Sequence, residues 1–458
     1  MSRKAKQFLK KSDEVAFDLQ HRSKIKFNIS RYDEAVDKGE KRYANIELAR
    51  LRAAQIKRNV LAKLPDYLLQ FEKNAIDNGC TVWWAKDAEE AIHYVIEILK
   101  ESNCKLVVKS KSMTTEEIEF NSGVESMGVK SVETDLGEYI VQIAGEKPYH
   151  IVTPAMHKSK EDIAALFHEK FNTPENSTPE YLTNYVRENL RENFQDAEVG
   201  VTGANFLIAD KGAVAVTENE GNAIMSASFP KVHIAISGIE KVIPSNKDLG
   251  LYWPLLAAHG TGQQMTVYNS IYSGPKKEWE TDGPEKMYVI LLDNGRTDLY
   301  ANKMEAESLA CIRCGACLNA CPIYKNVGGH AYNATYSGPI GSIITPHFKD
   351  FKDFKHLSFA CSLCGRCEEV CPVKIPLPKL LLYNRKESVE LNLPGLSENL
   401  STNTMSYVMS SRAYLDMLPG SIKNFGKRVL QKKLIGNSRK LPDLASKSFS
   451  SQWKNIRT

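Results

Sequence analysis

Between residues 43 and 77 apolar side chains recur at helical spacing: Ile46, Leu48, Leu51, Ile56, Val60, Leu64, Leu68 and Phe71. Steps of three and four place such residues on one stripe, so the pattern predicts helix, and Pro65 divides it into two. Beyond it the period changes. Short β-rich runs alternate with helical ones: TVWWA from 81, a helix over AEEAIHYVIEILK, KLVVKSK from 105, a helix near TTEEIEF, KSVETD from 130 and HIVTP from 150. This alternation predicts βαβ units and a mainly parallel sheet. Helical segments follow near 158–171 and 178–194, after which NFLIAD, GAVAVTEN, KVHIAISG, TVYNSIYSG and KMYVILLDN return to strand character. No GxGxxG follows a strand and no phosphate-binding P-loop occurs, so the chain has no nucleotide-binding fingerprint of its own. Gly200, Gly203 and Gly212, in GVTGANFLIADKG, read as turn residues.

Past residue 300 the informative signal is cysteine. CIRCGACLNACP from Cys311 to Pro322 and CSLCGRCEEVCP from Cys361 to Pro372 both read C-x2-C-x2-C-x3-C-P, and together hold eight of the ten cysteines. That spacing wraps a cubane [4Fe–4S] cluster. Zinc, the main rival, takes four ligands from two separated pairs, whereas each run here supplies four thiols. In two-cluster ferredoxins the fourth cysteine of each run binds the other run's cluster. One cluster is therefore expected on Cys311, Cys314, Cys317 and Cys371, and the second on Cys321, Cys361, Cys364 and Cys367. Gly315 and Gly365 fall where the chain must turn tightly beside the cube. Pro322 and Pro372 redirect it as it leaves. Cys80 and Cys104 stand alone before apolar runs and read as small core residues.

The spacer GGHAYNATYSGPIGSIITPHFKDF is too rich in glycine and proline for one helix. PLPKLLLYNRKESVEL, after the second run, predicts a partly buried helix through Leu380, Leu381, Leu382 and Val389. A long spacer with flanking helices resembles the α-helical ferredoxin domain of succinate dehydrogenase and heterodisulfide reductase subunits.

A chain of 458 residues exceeds what one core usually supports. A net charge of +5 is close to balanced and argues against nucleic acid as a partner. The C-terminus is strongly basic: Lys423, Lys427, Arg428, Lys432, Lys433, Arg439, Lys440 and Lys447 face only Asp443 nearby. Such a run reads as a solvated tail or helix face, with peripheral docking on an acidic partner or a membrane surface as the alternative. No apolar stretch reaches the roughly 20 residues of a membrane span, and the N-terminus lacks a signal-peptide core. Thiols free to hold iron fit a reducing compartment, so the expected location is cytoplasmic.

Several strings together carry a resemblance: VVKSKSMTTEEIEFN, ETDLGEYIVQIAGEKPYHIVTPAMH, GVTGANFLIADKGAVAVTENEGNA, FPKVHIAISGIEKVIP and VILLDNGRT, then the double cysteine run and SGPIGSIITP. Over roughly residues 20–450 the chain resembles the lactate utilization protein B family. The resemblance implies an α/β LUD-type domain of the NagB/RpiA/CoA-transferase-like three-layer class, followed by the α-helical two-cluster ferredoxin domain. The expected division is an N-terminal helical extension over 1–70, the α/β domain over 71–300, the ferredoxin domain over 301–390 and a basic C-terminal extension over 391–458. It also implies two [4Fe–4S] clusters and a role in oxidising L-lactate to pyruvate, so that lactate serves as carbon source. The partners implied are a cysteine-rich iron–sulfur-type protein and a second LUD-domain protein. Oxidation releases two electrons, and a cluster takes one at a time, so the chain reads as an electron-transfer subunit that is non-catalytic or co-catalytic. The sequence identifies neither the catalytic residues nor the electron acceptor. Two other readings stay open: the same role for another 2-hydroxy acid such as glycolate, or CoA/acyl transfer with the clusters as structural staples.

Within the α/β domain, Lys109, Ser110, Lys111 and Ser112 end a predicted strand, where open α/β sheets place ligands. Two cations there suit a carboxylate, and a loop leading into a helix capped by Thr114 or Thr115 is the plainer reading. Glu133, Asp135 and Glu138 with His150 and His157 form a candidate acid/base or anion-orienting set. Glu218 and Glu220 resemble the strand-end glutamate of CoA-transferases over only a few residues.

Overall fold

The apolar stripe over 43–77 becomes two helices, Ile46–Ala62 and Leu64–Asp77, with Pro65 in the first turn of the second, where an N–H has no helical partner in any case. Only its later part is buried. Val60, Leu64, Leu68 and Phe71 face the core, while Leu48 and Leu51 are exposed. Ala53, Ala54 and Lys57 set the buried face of the first helix instead, and Lys57 Nζ donates to the Glu240 carbonyl at 2.6 Å. The computed structural model describes residues 2–393, 395–417, 419–435 and 440–457.

Ten strands follow in chain order: β1 Thr81–Ala85, β2 Leu106–Lys109, β3 Lys130–Glu133, β4 Val199–Gly203, β5 Phe206–Ile208, β6 Ala213–Glu218, β7 Val232–Gly238, β8 Val242–Ile243, β9 Tyr268–Tyr272 and β10 Lys286–Leu292. Six of them form a fully parallel sheet in the order β1-β10-β7-β4-β2-β3. The other four make a second sheet, β8-β5-β6-β9, in which β6 runs antiparallel to both neighbours. Central strands of a parallel sheet are covered on both faces and read as continuous apolar runs; β7 is buried at every residue. On one face Val201, Ile234, Ile236 and Ile290 pack against Val95 and Ile98 of helix Ala88–Glu101. On the other, Ala235, Val289 and Leu291 pack against Leu68 and Phe71. The domain is thus α/β with helices on both faces.

Two expectations fail here. HIVTP is not a strand: residues 150–156 form turns in which His150 Nδ1 accepts from the amides of Val152 and Thr153, so local side-chain bonding replaces a ladder. Gly200 and Gly203 are not turn residues but lie in β4. A Cβ on Gly200 would come within 1.7 Å of the Ser226 carbonyl oxygen, so the glycine permits helix Asn222–Ser228 to lie against the sheet. Gly212 does turn, at φ 57°.

From Arg296 to Glu390 the described residues form only short helices and loops. The second half of the spacer holds the buried helix Gly338–Phe348, with Pro339 in its first turn and Pro346 inside. Helix Leu377–Glu390 buries Leu380 and Leu381, whereas Leu382 and Val389 are exposed. Helices Arg3–Phe17 and Leu19–Glu40, capped by Ser2 and Asp18, supply Phe8, Ile25 and Ile29 to the same apolar cluster as Tyr324, Ile343 and Leu380. Ser2–Glu390 forms one compact unit.

Leu391–Thr458 belongs to a second unit, with helices Leu396–Met409, Arg412–Asp416, Gly420–Ile435 and Phe449–Arg457. Part of its basic run is engaged internally: Lys423 donates to the Leu415 carbonyl, and Lys427 pairs with Asp443. Arg428, Lys440 and Lys447 are exposed, and Arg439 lies outside the described residues. No helix among the described residues is long and apolar enough to cross a membrane.

Candidate functional site

Each cysteine run folds as a loop entering a short helix, Ala316–Ala320 in the first and Arg366–Glu369 in the second. The backbones repeat. Arg313 and Leu363 adopt φ of 62° and 55°, and each donates its amide N–H to the sulfur two residues earlier, Cys311 Sγ at 3.4 Å and Cys361 Sγ at 3.3 Å. The fourth cysteines match as well: Cys321 Sγ accepts from the Tyr324 amide at 3.5 Å and Cys371 Sγ from the Ile375 amide at 3.4 Å.

The eight thiols fall into two groups that cross between the runs. Cys311, Cys314, Cys317 and Cys371 line one hollow walled by Ile312, Leu318, Ile340 and Val373. Burial pushes the Cys317 thiol up, and Cys311, Cys314 and Cys371 push it further. Cys367 is pushed to about 12 by burial and then by Cys361, Cys321 and Cys364. Thiols gathered this closely in an apolar setting, with amides aimed at their sulfurs, are the donor set a [4Fe–4S] cluster requires. Cys80 and Cys104 are buried in the two apolar layers of the α/β domain, their thiols pushed up to about 11 and 12 by burial.

The first run docks on the α/β domain through buried charge. Arg296 donates to both carboxylate oxygens of Glu117, at 2.9 and 2.8 Å, and pairs with Glu240. Arg313, inside the first run, reaches the other oxygen of Glu240 at 3.2 Å and stacks over the Tyr336 ring at 4.4 Å, while Tyr336 donates to Glu117 at 2.7 Å. Cations on both sides hold the Glu240 carboxyl down to about 2 against the effect of burial. Gly315, at φ 81°, brings the loop against the 150–154 turn: a Cβ there would meet Val152 Cγ2 at 3.0 Å.

Beside this junction lies a cavity of about 410 Å3. Its walls come from the carboxyl ends of parallel strands, with Lys111 after β2, Asp135 after β3 and Lys241 after β7, from Glu218 and Glu220 at the end of β6, and from Arg313 and Cys314 of the first run. Open α/β sheets place ligands at this edge. Burial, with Asp135 close by, raises the Glu220 carboxyl to about 7. Glu218 accepts the amides of Ala223 and Ile224 at 2.7 and 2.9 Å.

The sequence-predicted polar residues divide between this cavity and other places. Lys111, Ser110, Ser112, Asp135, Glu218 and Glu220 line it. Lys109 does not; it is fully buried against Glu133 at 2.8 Å and Glu116 at 3.3 Å. Ser112, rather than Thr114 or Thr115, caps helix Met113–Glu117. The proposed set of acids with His150 and His157 is not one group. Glu133 serves Lys109, His150 holds the turn after it, and His157 bonds Glu146 at 2.6 Å and stacks on Tyr149. Arg313 and Lys241 escaped the sequence reading, although each sits in a quoted motif, CIRC and GIEKVIP.

Residues 68–292 match the LUD domain and residues 307–375 the 4Fe-4S dicluster domain. Lactate utilization protein B of Bacillus cytotoxicus (strain DSM 22905 / CIP 110041 / 391-98 / NVH 391-98) is 43% identical over 360 residues, covering 78% of this chain and 76% of that protein. The chain belongs to the lactate utilization protein B family. The uncharacterized electron transport protein YkgF of Escherichia coli (strain K12) is 40% identical over 413 residues, 88% of this chain and 87% of its own length. A DUF162 family protein from Deinococcus radiodurans, of known structure, aligns to 50% of this chain and 98% of its own at 13% identity and a TM-score of 0.27, too low to carry an argument. The dicluster match makes two [4Fe–4S] clusters the cofactors of this family member.

Proposed function

We propose that this chain is the iron–sulfur electron-transfer subunit of a complex that oxidises L-lactate to pyruvate, with one cluster on Cys311, Cys314, Cys317 and Cys371 and the other on Cys321, Cys361, Cys364 and Cys367. The junction of cavity and cysteine unit carries the reading, because Arg313 and Cys314 belong to the walls of both. Relatives named lactate utilization protein B support the substrate. Converting lactate to pyruvate breaks the C2–H and O–H bonds, forms C2=O and releases two protons and two electrons. A [4Fe–4S] cluster supplies one-electron chemistry, so a pair in one unit matches that stoichiometry.

The chain's own residues order the relay. In the first group Cys314 and Cys371 are buried and Cys311 and Cys317 half-buried, with Cys314 in the cavity wall, whereas Cys364 of the second is exposed. In this reading electrons pass from the cavity to the first group, then to the second, and leave to a partner at Cys364. The parallel sheet with helices on both faces supports a NagB/RpiA/CoA-transferase-like class for the larger domain, here a scaffold for the cavity. The partners in this reading are a cysteine-rich iron–sulfur protein and a second LUD-domain protein, and the setting is cytoplasmic.

The test is anaerobic purification with these partners, followed by EPR on adding L-lactate. Cluster signals should change with lactate, and signals that never change contradict the reading. Growth of a deletion strain on lactate and glycolate separates the two acids. Acyl-CoA turnover that needs no electron acceptor and survives cluster loss points to transferase chemistry instead.

A further inference from the structure

The cavity beside Cys314 is lined by two cations, near Glu240 and Cys311, whose donors are not all met by hydrogen-bond partners among the described residues. Arg313 has a side chain only 7% exposed, and its Nη2 meets Glu240, yet its Nε and Nη1 have no hydrogen-bond partner. Lys241 is 7% exposed, lines the same cavity and makes no hydrogen bond or ion pair among the described residues. Unpaired donors on buried cations are expensive unless an anion meets them. Lys111 differs, being held by Asp135 at 3.4 Å and by the Val152 carbonyl at 2.9 Å.

The remaining walls narrow the class of anion. Glu218, Glu220 and Asp135 form an acidic side, which repels a dianion or a phosphate but accepts a hydroxyl hydrogen. A ligand suited to both sides has one carboxylate and, on the neighbouring carbon, a hydroxyl, which donates to an ionised carboxylate, or a carbonyl oxygen, which accepts from a protonated one. Resting on the electron-transfer reading above, we propose that this cavity binds the 2-hydroxy acid and its 2-oxo product, with the carboxylate on Arg313 and Lys241 and the C2 oxygen toward the Glu218 and Glu220 side. The substrate then sits in this chain, against the first group of thiols, and not in a partner subunit. The volume of about 410 Å3 leaves room for water beside a three-carbon acid and for larger members of the class.

The experiment is calorimetric titration of the full-length, cluster-loaded chain under anaerobic conditions with pyruvate and oxamate, with acetate and inorganic phosphate as controls. Pyruvate and oxamate should bind at one site, with acetate and phosphate much weaker. Lys241→Gln, at unchanged iron content and melting temperature, should weaken pyruvate binding at least about tenfold, the equivalent of about 1.4 kcal/mol, and Lys241→Arg should restore most of it. Binding that survives Lys241→Gln, or phosphate binding as tightly as pyruvate, overturns the assignment. If the assembled complex reduces its clusters with lactate while this chain binds neither acid, the site is in a partner and only this inference fails. If lactate never reduces the clusters in the complex, the electron-transfer reading itself fails.

Discussion

The two cysteine runs have the same spacing and nearly the same backbone, but different surroundings. Gly315 and Gly365 both adopt left-handed backbone, at φ 81° and 84°, yet a Cβ on Gly315 would press on Val152 and Ile151 while one on Gly365 would meet nothing within 4 Å. At the residue just before the second cysteine the first run has Arg313, locked to Glu240 and Tyr336, and the second has Leu363. The ion pair closest to the second run, Arg366–Glu369, has both side chains about 60% exposed. Identical metal-binding spacing thus sits in two settings: an inner run built into the α/β domain and an outer run whose Cys364 is exposed.

That contrast can be broken in order of expected effect. Replacing Cys317 or Cys367 with serine should remove one cluster each, lowering iron measured on the purified chain by about half. Unchanged iron in either variant refutes the ligand sets. Glu240→Ala leaves Arg296 and Arg313 buried without their shared carboxylate and should destabilise the fold by about 3–5 kcal/mol in denaturant unfolding. Glu369→Ala on the outer run should change stability by less than about 1 kcal/mol. Gly315→Ala combines left-handed strain of about 1–2 kcal/mol with overpacking of about 1–3 kcal/mol, whereas Gly365→Ala has only the strain. Equal losses at the two glycines would remove the distinction between inner and outer runs.

Acidification acts on the same fold through two buried histidines. His150, against the inner run, is pushed down to about 3 by burial and by Lys111, and His233, in β7, to about 4 by burial. Both stay neutral in the fold below the pH at which the unfolded chain takes up protons, near 6.5. The stability they contribute is complete above that pH and is lost as pH falls toward their folded values. The urea midpoint should therefore be lower at pH 5 than at pH 7, and His150→Gln should reduce the difference.

Most elements were legible because periodicity reports local burial. The helices over 46–77, strand β2 and helix Ala88–Glu101 all carry their pattern within a few residues. The cysteine runs were legible because metal binding fixes spacing within a dozen residues. The cavity was not, since its walls lie at strand ends separated by up to two hundred residues, and no local pattern records that Lys111, Lys241 and Arg313 converge. Lys109 and Lys111 look equivalent in KSKS, and only the positions of Glu133 and Glu116 decide that Lys109 is fully buried between two carboxylates while Lys111, paired with Asp135, lines the cavity. Strand β4 was hidden by its glycines, whose role is the close approach of a helix.

The order of the relay is tested most directly by anaerobic EPR on the assembled complex after adding L-lactate, comparing Cys317→Ser with Cys367→Ser. The account predicts that the Cys367 variant still shows lactate-dependent reduction of its remaining cluster but no longer reduces the acceptor, while the Cys317 variant shows no lactate-dependent reduction at all. Lactate-dependent reduction of the remaining cluster in the Cys317 variant would contradict it.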